Sequence, residues 1–195
     1  MRIITGTARG VRLKTLEGDT TRPTSERAKE AVFSMLQFEL EGRRILDLYG
    51  GSGQLALEAL SRGASFADIV DSSKEAAEVI RSNIQSTKME KQCLLHCQED
   101  FAFLRSRGIT QAPGYDIIFL DPPYRLQRIP EALRLLRENG CIKPTTIVVC
   151  ESAEKDLFST KEDERAFWTE RRKAQYGVAT VTLLIPKERG ESVLL

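Results

Sequence analysis

From Arg43 onward the chain alternates short runs rich in β-branched residues with longer stretches whose apolar residues recur at helical spacing. No other feature constrains the fold as much. Strands separated by helices pair in parallel, through crossovers that lay the helices on the sheet. The expected strands are residues 44–48, 67–71, 92–96, 115–120, 145–151 and 178–185. The expected helices are residues 54–62, 74–87, 100–107, 129–139 and 153–159. Ser73 stands before the second of these helices as a cap, while Gly63 and Gly140 follow the first and fourth. The run Ile117-Ile118-Phe119-Leu120 is apolar on both faces, as a central parallel strand requires, and leads straight into Asp121.

The segment before Arg43 is of a different kind. Arg2-Ile3-Ile4-Thr5 and Val11-Arg12-Leu13-Lys14 flank a glycine-bounded turn and read as a β-hairpin. Residues 25–40 follow as an amphipathic helix with Ala28, Ala31, Val32, Met35 and Leu36 inward. At 195 residues the chain suits one domain with an appendage: residues 1–42 as hairpin and helix, residues 43–195 as the α/β domain. Residues 163–173 are charge-dense and read as an exposed ribbon or loop. With 29 basic against 28 acidic residues, no global field draws the chain to nucleic acid or an anionic membrane, so any such affinity must be local. No apolar run approaches the ~20 residues of a spanning helix, and the start lacks the apolar stretch of a signal peptide, so a cytoplasmic protein without membrane contact is expected. Cys93, Cys97, Cys141 and Cys150 include no Cys-x-x-Cys pair and are read as reduced core residues. Along a strand Cys93 and Cys97 share a face that His96 leaves, and a fourth ligand is lacking, so no metal is expected.

The most specific local signal is Ile45-Leu46-Asp47-Leu48-Tyr49-Gly50-Gly51-Ser52-Gly53, a strand that ends in an acid and a glycine turn opening a helix. At that place glycines let the backbone approach a ligand, and the helix presents unpaired amides. The second strand ends at Asp71, twenty-four positions after Asp47, where a carboxylate can accept both hydroxyls of a ribose. These pieces imply a nucleoside ligand. The turn does not match Gly-x-Gly-x-x-Gly, since Ala56 stands three after Gly53, and no Walker lysine follows, so dinucleotides and triphosphates fit less well.

The second signal is Asp121-Pro122-Pro123-Tyr124, again at the carboxyl edge of a strand. Two prolines remove two amide donors from the turn, which leaves it a source of acceptors, the Asp121 carboxylate and the Pro122 carbonyl. Acceptors suit an amino-group substrate. An amine conjugated to a base is a poor nucleophile until its hydrogens are held by fixed acceptors and its lone pair is aimed at an electrophilic methyl, with Tyr124 stacked on the base.

With these motifs the sequence resembles the class I S-adenosylmethionine-dependent methyltransferases, and among them the bacterial small-subunit (16S) ribosomal RNA guanine-N2 methyltransferases. The resemblance spans nearly the whole chain: Met1 to Gly6, Arg22-Pro23-Thr24-Ser25-Glu26-Arg27, Leu46 to Gly53, Leu57 to Gly63, Asp121 to Tyr124 and Tyr176-Gly177. It implies a Rossmann-like, seven-stranded, mostly parallel sheet with the last strand antiparallel, and S-adenosylmethionine as the cofactor. By position it places Asp47, Gly50, Gly51 and Gly53 around the donor's amino acid part, Asp71 on its ribose, Asp100 at its adenine amine with Phe101 beside the ring, and Asp121, Pro122, Pro123 and Tyr124 at the target base. Gly50 stands where alanine is often found, and Asp71-Ser72-Ser73 replaces a more usual glutamate-containing stretch.

The third signal is local charge: Arg2, Arg9, Arg12 and Lys14 occur in the first fourteen residues without an acid between them. Together with Arg22 they form a candidate RNA surface, since phosphate contacts set register while a pocket reads the extruded base. Arg171, Arg172 and Lys173 could extend it, but Glu162, Asp163, Glu164 and Glu170 lie nearby. The expected function is methylation of the exocyclic N2 amine of a guanine in ribosomal RNA or the small ribosomal particle, by a monomer. The alternatives are adenine-N6 methylation of DNA or RNA, and a non-catalytic RNA-binding assembly factor on the same scaffold.

Overall fold

A computed structural model describes residues 1–16, 23–110, 112–123 and 126–187. In chain order its elements are α1 (Pro23–Met35), β1 (Arg44–Asp47), α2 (Gln54–Ser61), β2 (Phe66–Asp71), α3 (Lys74–Thr87), β3 (Cys93–Cys97), α4 (Asp100–Thr110), β4 (Tyr115–Leu120), α5 (Ile129–Glu138), β5 (Ile142–Ser152), a 3-10 helix (Glu162–Phe167), β6 (Trp168–Tyr176) and β7 (Ala179–Pro186). The strands form one sheet in the order β3-β2-β1-β4-β5-β7-β6. The first five run parallel, and β7 is antiparallel to both its neighbours. This is the seven-stranded, class I methyltransferase arrangement implied by the resemblance. The strand order reverses between β1 and β4, the switch point where open α/β sheets bind ligands.

Alternation along the strands explains the two-sided apolar pattern. Ile45, Ile69, Ile117 and Phe119 enter a core with Val32, Phe33, Leu57 and Ile80 of α1, α2 and α3. Leu46, Val70, Ile118 and Leu120 enter the opposite core with Phe103, Leu104, Leu133 and Leu136 of α4 and α5. The amino-terminal segment joins the first of these cores through buried Ile3 and Leu13. Its pairing is short, one antiparallel bridge of Arg2 with Arg12, extended by Ile3 N–H to Val11 O at 3.0 Å and Leu13 N–H to Met1 O at 3.1 Å.

Helix α2 holds that hairpin. The buried Glu58 carboxylate accepts the amides of Ile4 (2.7 Å) and Thr5 (3.1 Å) and the Arg62 Nε (2.7 Å). Ser61 Oγ accepts from Ala8 N–H at 3.0 Å and donates to Thr5 O at 2.6 Å. Gly6 passes so close that a Cβ there would lie 1.7 Å from the Ser61 carbonyl oxygen.

Three expectations are corrected. Residues 153–159 form no helix, because side chains there take the local amides: Ser152 Oγ accepts Glu154 N–H (2.9 Å) and Asp156 Oδ1 accepts Phe158 N–H (3.0 Å). The charge-dense stretch runs from the 3-10 helix into β6, an exposed edge ribbon as expected; its register shifts between Glu170 and Arg172, and charge plus a bulge is how an exposed edge resists pairing with another chain. Cys97, expected in the core, is exposed at the end of β3, whereas the other three cysteines are buried. The first helix is also shorter than its apolar spacing suggested, ending at Met35.

Candidate active site

The turn after β1 is shaped by its glycines. Gly51 (φ +55°) and Gly53 (φ +76°) lie in the left-handed region, and Gly53 caps α2. Gly50 is required for a different reason: a Cβ there would come within 2.7 Å of Ile69 Cγ2 and 3.1 Å of Ile80 Cδ1. Asp71, at the end of β2, holds the turn in place, accepting the Gly51 amide at 2.8 Å and the Ser73 amide at 2.9 Å on its two oxygens. Each oxygen of an ionised carboxylate keeps a second acceptor position, so this anchor can still receive hydroxyls.

Asp47 lies beneath the turn, 1% exposed. Its Oδ2 accepts the Ala56 amide at 3.3 Å, and its Oδ1 has no hydrogen-bond partner among the described residues. Burial pushes its carboxyl up to about 7, with the Asp71 charge adding to the rise, while the Ala56 amide and the Lys29 ammonium oppose it. Lys29 reaches over from α1 to bond Gln54 Oε1 at 3.0 Å. At the start of α4, Asp100 receives Arg128 on both oxygens, Nε at 2.7 Å, and the same guanidinium lies 4.2 Å from the centre of the Phe101 ring. The hydrogen bonds to Asp100 hold the Arg128 pKa above its ordinary value.

Across the cavity, β4 and β5 run in register with Leu120 opposite Cys150, so the next residues, Asp121 and Glu151, emerge side by side. One cavity of about 740 Å³, within the range of small-molecule sites, is lined by Gly50, Gly51, Asp71, Asp100, Asp121, Pro122 and Pro123 together. Lys29, Arg128 and Glu151 also line it. Asp47, Gly53 and Phe101 do not line it. Tyr124 and Arg22 lie outside the described residues. Arg2, Arg9, Arg12 and Lys14 are exposed on the hairpin and none lines the cavity, although Met1 does. Arg171, Arg172 and Lys173 are exposed on β6, with Arg171 paired to Glu39 at 3.0 Å and Lys173 to Glu170 at 3.6 Å.

Lys29, Arg128 and Glu151 were not singled out from the sequence. Glu151 had a usable signal: it ends an apolar strand run as Asp47, Asp71 and Asp121 end or follow theirs. Lys29 and Arg128 sit on helical segments whose approach to the cavity depends on packing.

The family described as "Conserved hypothetical protein 95" matches residues 1–185. The chain is 34% identical to "Putative rRNA methyltransferase YlbH" of Bacillus subtilis, over 97% of this chain and 100% of the relative. It is 32% identical to "Ribosomal RNA small subunit methyltransferase D" of Haemophilus influenzae, over 94% of this chain and 92% of that one. Among solved structures it resembles "Putative methyltransferase yhhF from Escherichia coli", with a TM-score of 0.83 and 26% identity over 97% of this chain and 99% of that one.

Proposed function

This chain belongs to the conserved hypothetical protein 95 family, and from that premise we propose that it transfers a methyl group from S-adenosylmethionine to the exocyclic N2 amine of a guanine in small-subunit ribosomal RNA. The observation that carries the reading is the one cavity lined together by the glycine turn after β1, Asp71 at the end of β2, Asp100 after β3, and the Asp121-Pro122-Pro123 turn after β4. The names of the relatives support ribosomal RNA as the substrate.

The residues present fit the donor. Asp71 and Asp100 line the cavity as acceptors suited to the donor's ribose and adenine amine, and the unpartnered Asp47 Oδ1 beneath the glycine turn is the buried acceptor left for its ammonium group. Gly51 leaves open space where a side chain would stand. When bound, the donor supplies a methyl group on a positively charged sulfur, an electrophile that is already activated.

The chain's own part is placement. Asp121 and the Pro122 carbonyl accept the hydrogens of the base amine, which directs its lone pair toward the donor side of the cavity. The surplus proton of the product amine leaves along the Asp121 hydrogen bond. The exposed cations of the hairpin hold phosphates and fix which nucleotide reaches the cavity.

The test is transfer of labelled methyl groups to total RNA, DNA and unmethylated small ribosomal subunits, followed by nucleoside analysis. N2-methylguanosine from the subunits supports the reading. Methyladenosine, or an absence of label in every substrate, refutes it.

A further inference from the structure

Guanine and adenine both offer an exocyclic amine, so an acceptor turn alone does not choose between them. They differ in what flanks it. In guanine the N2 amine lies beside N1–H, a third donor on the same edge. In adenine the N6 amine lies between two ring nitrogens that are acceptors. A site that selects guanine therefore needs a further acceptor next to those that hold the amine, placed where an adenine would present a lone pair.

Glu151 stands beside that turn. It follows Cys150 on β5 as Asp121 follows Leu120 on β4, and these strands are paired in register, so the two carboxylates rise from adjacent strands about 4.8 Å apart at the same sheet edge. Glu151 is 8% exposed, is paired on its other side with Val181 of β7, and lines the same cavity as Asp121 and Pro122. A carboxylate has about four acceptor positions, so Glu151 can receive a base N–H while keeping a protein partner.

We propose that Glu151 makes this site choose guanine over adenine, by accepting the N1–H that guanine has and adenine lacks. Next to an adenine N1 the same carboxylate meets a lone pair, and two acceptors facing each other in a buried wall repel. The inference rests on the guanine reading given above and deepens it.

The discriminating substrate is 2-aminopurine, which keeps the N2 amine but carries an acceptor at N1. Small-subunit ribosomal RNA is prepared with guanine or 2-aminopurine at the nucleotide identified by nucleoside mapping. Single-turnover methyl transfer is then compared for the wild-type chain, Glu151→Ala and Glu151→Gln. The wild type should prefer guanine by on the order of 100-fold, the worth of a hydrogen bond to a charged acceptor. Glu151→Ala should lose rate on guanine but not on 2-aminopurine, bringing the preference to within about threefold. Glu151→Gln, which keeps a neutral acceptor, should fall between and carries the test if the alanine variant does not fold. Donor affinity by calorimetry should be unchanged in both variants. Comparing the ratio of the two substrates between the proteins cancels any general loss of stability, and also the O6 contact that 2-aminopurine lacks in all three. N2-methylguanosine as the product with equal preference in all three proteins overturns the role of Glu151 and leaves the guanine reading standing. Methyladenosine as the wild-type product overturns both.

Discussion

Replacing Asp47 by asparagine should stabilise the free protein and weaken its hold on the donor, two effects of opposite sign from one atom. The Asp47 carboxyl is buried, its Oδ1 lacks a partner among the described residues, and its pKa rises from 3.8 to about 7. Between pH 4 and pH 7 the folded state therefore binds more protons than the unfolded chain, and stability from this group falls as pH rises through that window. Once both states are ionised the cost is about 4 kcal/mol. Asparagine removes the charge and keeps an oxygen for the Ala56 amide, but buries an NH2 without an acceptor, which costs about 1 to 3 kcal/mol. The net expectation at pH 8 is a gain of about 1 to 3 kcal/mol, or a Tm higher by roughly 3 to 10 °C for a chain of this size. At pH 4 the carboxyl is neutral and only the amide cost remains, so the order of the two proteins reverses.

Differential scanning calorimetry of both proteins from pH 4 to pH 8 reads this directly. If the donor's ammonium group sits on Asp47, binding must also expel a proton near pH 6, visible as a dependence of the binding heat on the buffer's ionisation enthalpy. The asparagine variant should show no such release and bind about ten- to a hundredfold more weakly, as expected for a lost hydrogen bond to a charged group. A Tm difference that is the same at pH 4 and pH 8, or a variant less stable at pH 8, would falsify the reasoning.

Asp71→Ala should lower donor affinity about ten- to a hundredfold, because the ribose loses its acceptor and the Gly51 amide loses its anchor; equal affinities by calorimetry would remove Asp71 from the site. Asp121→Ala should cut single-turnover transfer by on the order of a hundred- to a thousandfold while donor affinity holds, and rapid transfer by the variant contradicts its role at the amine. Gly50→Ala should destabilise the fold by about 1 to 3 kcal/mol, since the added methyl meets Ile69 Cγ2, and shortening that neighbour with Ile69→Val should not relieve it because valine keeps the same branch; thermal melts of the single and double variants decide this. Changing Arg9, Arg12 and Lys14 together to alanine should flatten the slope of log RNA affinity against log salt by about 2, at ~0.7 per lost phosphate contact, and parallel slopes with equal affinity would rule these residues out as the anchor.

What the sequence disclosed follows from which signals are local. Six strands were legible because each is an apolar run bounded by turn chemistry, and the acids at their carboxyl ends marked the edge where the cavity lies before any topology was known. The seventh strand was hidden because an edge strand is selected against looking like one: Thr169 to Arg172 is polar at every position and bulged. Residues 153–159 misled in the other direction, since Ser152 and Asp156 divert amides that a helix would need. The cavity residues missed were those delivered by packing, Lys29 from α1 and Arg128 from the start of α5, for which no spacing along the chain encodes the approach. The letters around Gly50 were readable, but the reason for that glycine lies in Ile69 and Ile80, from two other elements.

The hairpin shows why charge patterning alone gave an incomplete account of the amino terminus. Its cations face solvent, yet its backbone is fastened to the elements that shape the cavity. Glu58 and Ser61, on the last turns of α2, hold the amides of Ile4, Thr5 and Ala8, while the residue before that same helix is Gly53 of the glycine turn. Asn83 of α3, fully buried, closes a second link: its Oδ1 accepts Lys14 N–H at 2.8 Å, and its Nδ2 donates both to Lys14 O at 3.0 Å and to Ser52 O at 2.8 Å. One side chain thus ties the end of the basic hairpin to the glycine turn. If the hairpin cations hold RNA phosphates as proposed, the distance from that anchor to the cavity is set by two helices rather than by a tether, and the nucleotide that reaches it is chosen by a fixed ruler. Asn83→Ala should loosen that ruler: it leaves the Ser52 carbonyl and both Lys14 backbone groups without their partner, and transfer should fall more than either donor or RNA affinity measured alone.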